Sequence, residues 1–326
     1  MITVEHLTKY YGSHLAVDDI SFEIAQGHVY GFLGPNGAGK STTMNIITGC
    51  LSATGGRVLI DGHDIFEEPD AAKRCIGYLP EHPPLYMAES PEDYLRFVGE
   101  AKGLRGVELN AQIREVMEKT GIEKVRSRRI SQLSKGYKQR VGIAQALLGN
   151  PKVIILDEPT VGLDPIQIIE IRELITELGK THTVIFSSHI LSEVQAICDQ
   201  ILMIAKGKLV GFGSMEELQK QLLAGNEIVI VTDAAEEEIR QILAGISEIT
   251  GITTDAEEAG LTEAHIQSSH ENIYDLSAAV FRAFAASGRV ICEMNLKRGN
   301  LEDVFIELSE HTERKKEEDY DCDLEA

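Results

Sequence analysis

The stretch Gly34-Pro35-Asn36-Gly37-Ala38-Gly39-Lys40-Ser41-Thr42 has the residue types and spacing G-x-x-x-x-G-K-[ST], which suit the cradling of phosphate groups. Glycines admit backbone conformations that a Cβ forbids, so successive N–H groups can converge on an anion. Lys40 adds a point charge for β- and γ-phosphates, and the Ser41 hydroxyl suits a Mg²⁺ ligand. The flanks supply the setting such a loop needs. Residues 28–33 read as a buried strand, and residues 41–49 as a helix that aims its N-terminal dipole at the phosphates. A full match in a strand–loop–helix setting predicts a nucleotide site.

A second stretch, Val153-Ile154-Ile155-Leu156-Asp157-Glu158, is an apolar strand that ends in two carboxylates. In an open α/β sheet, ligands bind at the carboxyl ends of the strands, which is where this pair is delivered. Asp157 suits the Mg²⁺ shell, directly or through water. Glu158 suits a general base, polarising the water that attacks a γ-phosphate.

The elements that must position these groups can be read from periodicity. Residues 2–7 and 20–24 alternate as strands, with Tyr10-Tyr11-Gly12-Ser13 turning between them. Residues 55–62 and 76–79 are further strands, the latter ending at Pro80-Glu81. Residues 91–120 change character: apolar side chains recur at helical spacing and no strand intervenes, which predicts a helical insertion at about 88–135. Strands at 153–156 and 183–186, helices at 165–178 and 191–198, and a hairpin around Gly207 follow. The alternation predicts an α/β domain with a largely parallel sheet. From residue 227 the pattern restarts in the order β-α-β-β-α-β, predicting a small ferredoxin-like α+β domain at 220–310. Its last helix is expected at 301–308. Residues 311–326 are acidic, lack an apolar period and are expected to be disordered.

Three more stretches complete a recognisable set. Leu133-Ser134-Lys135-Gly136-Tyr137-Lys138-Gln139-Arg140 precedes the carboxylate strand, Pro159-Thr160-Val161-Gly162-Leu163-Asp164 follows it, and Ser187-Ser188-His189 ends the next strand. In this order the motifs resemble those of the nucleotide-binding subunit of an ATP-binding cassette (ABC) transporter, over about residues 1–219. The resemblance implies a P-loop NTPase fold with ATP and Mg²⁺ bound. It also implies that Ser134, Lys135, Gly136 and Tyr137 form the signature that faces the ATP of an opposite subunit, with Asp164 at the contact between subunits. His189 corresponds to the switch histidine beside the γ-phosphate, and Tyr11 to the aromatic that stacks on adenine. Lys135 and Tyr137 stand where glycine and glutamine are usual, but the backbone N–H groups survive that change. Glu81 stands where many members carry the glutamine that touches Mg²⁺; its carboxylate can still ligate through oxygen, with an added charge.

The resemblance further implies a homodimer that sandwiches ATP and drives polytopic membrane permease subunits encoded separately. These variants, and the ending Gly299-Asn300-Leu301-Glu302-Asp303-Val304-Phe305, resemble exporter-type bacterial cassettes of the antibiotic-resistance, sodium-export and gliding-motility kind. The alternative is a non-transport ABC ATPase acting on the ribosome or in DNA repair. Such proteins usually carry paired cassettes, coiled coils or zinc insertions, and none is visible here.

Composition narrows the partners. The net charge is −21, and it is unevenly spread: up to Met215 there are 26 acidic and 22 basic residues, but from Glu216 onward 26 acidic and 9 basic. Phosphate neutralisation needs a basic footprint, so a nucleic-acid partner is not expected. No run approaches the ~18 apolar residues of a membrane span, and residues 1–6 lack the pattern of a signal peptide. The chain is expected in the cytoplasm, peripheral to the membrane through a partner. Its five dispersed cysteines (Cys50, Cys75, Cys198, Cys292 and Cys322) fit a reducing compartment. His265 and His270 have no cysteine partners with which to form a zinc site.

Overall fold

Apolar and polar side chains alternate over the first two dozen residues, and they form two antiparallel strands, β1 (Ile2–Tyr11) and β2 (His14–Ile24). The turn is tighter than the four residues the sequence indicated. Tyr11 pairs with His14 across Gly12-Ser13, so both tyrosines belong to the strand. Glycine first in a two-residue connection suits the twist of a hairpin.

β3 (Val29–Leu33) is buried along its whole length, as a central strand covered on both faces must be. It runs into the phosphate loop and then into α1 (Lys40–Ile47). β4 (Gly55–Ile60) and the short β5 (His63–Asp64) join the first hairpin in a four-stranded antiparallel sheet of order β2-β1-β4-β5. This second sheet was not apparent from periodicity, which shows strands but not their partners.

After α2 (Pro69–Arg74) and β6 (Ile76–Leu79), the described residues contain no strand until β7 (Val153–Leu156). The interval holds α3 (Pro91–Ala101), α4 (Gly106–Lys119) and α5 (Lys135–Leu147). Ser90 caps α3 by accepting the Asp93 N–H at 3.2 Å. Tyr94, Leu95, Leu109, Ile113, Val116 and Met117 are buried at helical spacing. Lys102 ties this layer to α5 by donating to the carbonyls of Gln145, Ala146 and Leu148 near the helix end. At Gly77 a Cβ would stand 2.1 Å from the Ala146 carbonyl oxygen, so only glycine lets β6 and α5 approach this closely.

The rest of the first unit comprises α6 (Pro165–Gly179), β8 (Thr183–Ser188), α7 (Leu191–Ile197), β9 (Gln200–Ala205) and β10 (Lys208–Gly213). The main sheet has six strands in the order β10-β9-β3-β8-β7-β6, parallel except for the antiparallel edge strand β10. A core of Ile2, Val4 and Phe22 from one sheet and Phe32, Ile155 and Ile185 from the other encloses Met44 of α1. Each such side chain contributes roughly 1.5–3 kcal/mol by leaving water.

The chain divides into two compact units, Met1–Met215 and a second that begins at Glu216, within α8 (Met215–Leu222). The second contains β11 (Asn226–Thr232), α9 (Glu236–Leu243), β12 (Ile249–Ala256), β13 (Thr262–Ser268), α10 (Ile273–Ser287) and β14 (Ile291–Lys297). Its antiparallel sheet has the order β12-β13-β11-β14, the ferredoxin-like arrangement expected from the element order. Ile228, Ile230 and Ile266 of the sheet pack with Ile239, Leu276 and Phe284 of the two helices.

This computed structural model describes residues 1–222, 226–256, 261–268 and 272–297. The helix expected at 301–308, the tail and His270 fall outside them. Both ring nitrogens of His265 face carboxylates, Glu227 and Glu263, at 2.9 Å each. No group of three or more His, Cys, Asp or Glu suited to a metal ion occurs among the described residues. None of the described helices is long and apolar enough to cross a membrane.

Candidate active site

The parallel neighbours β3, β8 and β7 release their loops at the same sheet edge, and the three sequence motifs meet there. Gly39 caps α1 with a φ of +106°, a left-handed conformation that a side chain disfavours. The loop borders a cavity of about 390 Å³. Tyr11, Asn36, Gly37, Gly39, Lys40, Ser41, Thr42, Glu81, Glu158 and His189 all line it, as do His14, Ala16 and Val161, which sequence reasoning did not select. Gly34, Pro35 and Ala38 lie behind this lining. The first two offer their carbonyls to Lys40, and Ala38 is wholly buried.

Lys40 is only 5% exposed. Its Nζ donates to the carbonyls of Gly34 and Pro35 at 2.7 and 3.2 Å, and lies 3.5 Å from Glu158 Oε1. Burial holds this amine below the ordinary lysine pKa, and the Glu158 carboxylate works against that shift. The other Glu158 oxygen, Oε2, is 2.9 Å from His189 Nδ1. Glu158 is itself held at a φ of +48°, rare for a residue with a side chain and frequent where function fixes the backbone.

Asp157 is 2% exposed. Its Oδ1 accepts from Ser187 Oγ at 2.6 Å and lies 3.4 Å from Ser41 Oγ. Ser187 Oγ in turn accepts the Glu158 N–H at 2.8 Å, so one buried hydroxyl sets the position of both carboxylate residues. The sequence showed Ser187 only as a hydroxyl at the end of an apolar strand. Burial raises the Asp157 pKa, and the Ser187 and Ser41 hydroxyls oppose the rise while Glu158 and Glu81 add to it. A raised folded-state pKa means that the proton favours folding, and that this contribution is lost as pH climbs through the folded value. At neutral pH the ionised Asp157 therefore costs stability. Asp157→Asn is expected to raise the melting temperature at pH 7 by about 2–4 °C, equivalent to ~1 kcal/mol. The gain should shrink as pH falls through the carboxylate range. Thermal unfolding of both proteins at two pH values checks this, and an unchanged or lower melting temperature at pH 7 would contradict it.

Ser134, Lys135, Gly136, Tyr137 and Asp164 come together on a different surface. Ser134 Oγ caps α5 by accepting the Tyr137 N–H at 3.3 Å, and Asp164 Oδ1 caps α6 by accepting the Gln167 N–H at 2.9 Å. Gly136 packs on the Gln167 side chain and the Lys135 amine sits against Gly162, positions where a Cβ would collide. None of these five residues lines the cavity.

A phosphate loop after β3, a carboxylate pair just past β7 and a histidine just past β8, the strand between them, in a largely parallel sheet with a helical layer, define a P-loop ATPase domain. Residues 17–161 match the family described as ABC transporter. The linearmycin resistance ATP-binding protein of Bacillus subtilis is 31% identical over 317 residues, which cover 96% of this chain and 100% of that protein. The bacitracin transport ATP-binding protein of Bacillus licheniformis is 40% identical over 223 residues, covering 68% and 72%. Among solved structures, the dimeric ATP-binding cassette MJ0796, in a post-hydrolysis state bound to ADP and Pi, superposes with a TM-score of 0.59. It is 25% identical and covers 66% of this chain and 98% of its own. The chain belongs to the ATP-binding proteins of the ABC transporter family, and it is an ATPase.

Proposed function

We propose that two copies of this chain close around two ATP molecules and that hydrolysis reopens them, driving export through separately encoded membrane subunits. The observation that carries this reading is the split site. The phosphate loop, Glu158 and His189 share one cavity, whereas Ser134 to Tyr137 and Asp164 lie off it. Ser134 opens α5, so its hydroxyl and the first N–H groups of that helix form an anion-ready end with no phosphate of its own chain to meet. A second copy supplies that phosphate.

In this reading Lys40 and the loop N–H groups hold the β- and γ-phosphates. Tyr11, 49% exposed at the cavity mouth, stacks on the adenine. Glu158 orients and deprotonates the attacking water, and His189 holds Glu158 and the γ-phosphate in register. Ser41 Oγ and Asp157 Oδ1, 3.4 Å apart, are hard oxygen donors of the kind Mg²⁺ prefers, and Glu81 adds a third at the cavity wall. Bound Mg²⁺ supplies charge neutralisation on the phosphate oxygens. Positioning and charge stabilisation do most of the work, as in other phosphoryl transfers. The helical layer after Glu81 is the surface on which the membrane partner docks. The two relatives described above are named for resistance to linearmycin and transport of bacitracin, which supports an exporter.

The test is affinity purification from detergent-solubilised membranes, followed by mass spectrometry. A stoichiometric polytopic partner is the expected result. Recovery of ribosomal or DNA-processing proteins alone would overturn the transport reading.

A further inference from the structure

Glu193 stands on α7, one turn beyond His189, and is 2% exposed. An acidic side chain so deeply buried is costly unless its oxygens are used. Here one oxygen, Oε2, accepts from both Thr160 Oγ1 and Ser188 Oγ, at 2.8 Å each. The two donors come from different segments of the site, Thr160 from the turns after β7 and Ser188 from the end of β8. Thr160 lies between Glu158 and Asp164, in consecutive turns where Val161 N–H donates to the Glu158 carbonyl and Leu163 N–H to the Thr160 carbonyl. Ser188 precedes His189, and its hydroxyl also accepts the Ile190 N–H at 3.0 Å, fixing the turn that carries the histidine. The other carboxylate oxygen, Oε1, faces Arg172 Nη2 of α6 at 3.8 Å. Arg172 Nε is buried with no hydrogen-bond partner among the described residues.

From this convergence we infer that Glu193 is a positioning residue for hydrolysis: its carboxylate clamps the Asp164 loop to the strand end that carries His189. The inference rests on the roles proposed above for Glu158, His189 and Asp164. The clamp explains how closure at the Asp164 surface reaches the cavity. A shift of the Asp164 loop moves Thr160, Thr160 shares an oxygen with Ser188, and Ser188 sets the turn of His189. Glu193 does not line the cavity and makes no direct contribution to nucleotide binding. Its loss should therefore act on turnover and not on affinity.

Steady-state ATPase kinetics of the full chain with Mg²⁺ and ATP, beside titration with a fluorescent ATP analogue, test this. Glu193→Ala is expected to lower kcat by about 100-fold, the scale of a misplacement of about 1 Å, with KM and analogue affinity changed less than about threefold. Glu193→Gln should restore most of kcat, because an amide oxygen can accept from both hydroxyls. Removing either donor alone, by Thr160→Val or Ser188→Ala, should lower kcat by about 5- to 10-fold, and neither should add to the loss in Glu193→Ala. These milder changes keep the test informative if the alanine variant folds poorly. Turnover within about twofold of wild type in Glu193→Ala, or equal losses of kcat and affinity in Thr160→Val and Ser188→Ala, would overturn the inference. Glu158→Gln measured alongside separates the two readings. An active Glu158→Gln removes the proposed site chemistry itself, whereas an inactive Glu158→Gln beside an active Glu193→Ala removes only the clamp.

Discussion

Glu158→Gln is expected to stop turnover while ATP still binds. The substitution keeps the shape of the side chain and removes the proton acceptor, so the loss should be that of a general base, about 10²–10⁴-fold in kcat or roughly 3–5 kcal/mol of barrier. Binding should change little, because the glycine loop and Lys40 are untouched. The amide can still bond His189, which now lies 2.9 Å from Oε2, by turning its oxygen that way. Its amino end then faces Lys40, whose Nζ lies 3.5 Å from Oε1; in the function proposed above, that amine turns to the phosphates when ATP enters. With hydrolysis blocked and binding intact, ATP and Mg²⁺ should drive the variant into a lasting dimer, visible by size-exclusion chromatography with light scattering. Normal turnover would show that another group activates the water. A monomer that stays monomeric with saturating ATP would instead contradict the shared site.

Much of this site was legible because its chemistry is local in sequence. A nine-residue loop with fixed glycine, lysine and serine spacing announces itself, and so does an apolar strand that ends in two carboxylates. Glu81, Tyr11 and His189 needed the resemblance, since each is a single residue whose type alone points nowhere. All three border the same cavity as the loop. The residues that escaped are those whose role is to hold other residues. Ser187 and Glu193 act through hydrogen bonds to Asp157, Glu158, Thr160 and Ser188, most of them some thirty residues away in sequence. Spacing within a window does not register such bonds.

The fold divides in the same way. The helical layer and the ferredoxin-like unit follow from periods of 3.6 and 2 residues. The antiparallel sheet around β1 depends on a partner more than forty residues on, where Val4 pairs with Val58. The β1 turn, too, is set by pairing and not by local residue type. The two tyrosines looked like turn residues, yet the cross-strand pairing of Tyr11 with His14 draws them into the ladder and leaves Tyr11 at the cavity mouth.

Lys40→Ala should fail at an earlier step than Glu158→Gln. A charge-assisted hydrogen bond to phosphate is worth about 1.5–3 kcal/mol, so losing it should weaken ATP binding by roughly 10- to 100-fold. Titration with a fluorescent ATP analogue measures this directly. The effect on the empty protein runs through Glu158. Among the described residues, Lys40 Nζ and His189 Nδ1 are the basic groups within 4 Å of the Glu158 carboxylate, so with the amine gone His189 is the one that remains. Removing one member of a buried pair leaves an uncompensated charge, so a lower melting temperature should accompany the loss of affinity. The carbonyls of Gly34 and Pro35 also lose their donor, which loosens the loop before any nucleotide arrives. The two variants therefore separate binding from chemistry. If Lys40→Ala bound ATP as tightly as wild type while Glu158→Gln lost turnover, the backbone N–H groups alone would carry the phosphates. The buried lysine would then serve to hold Glu158 in place until substrate enters.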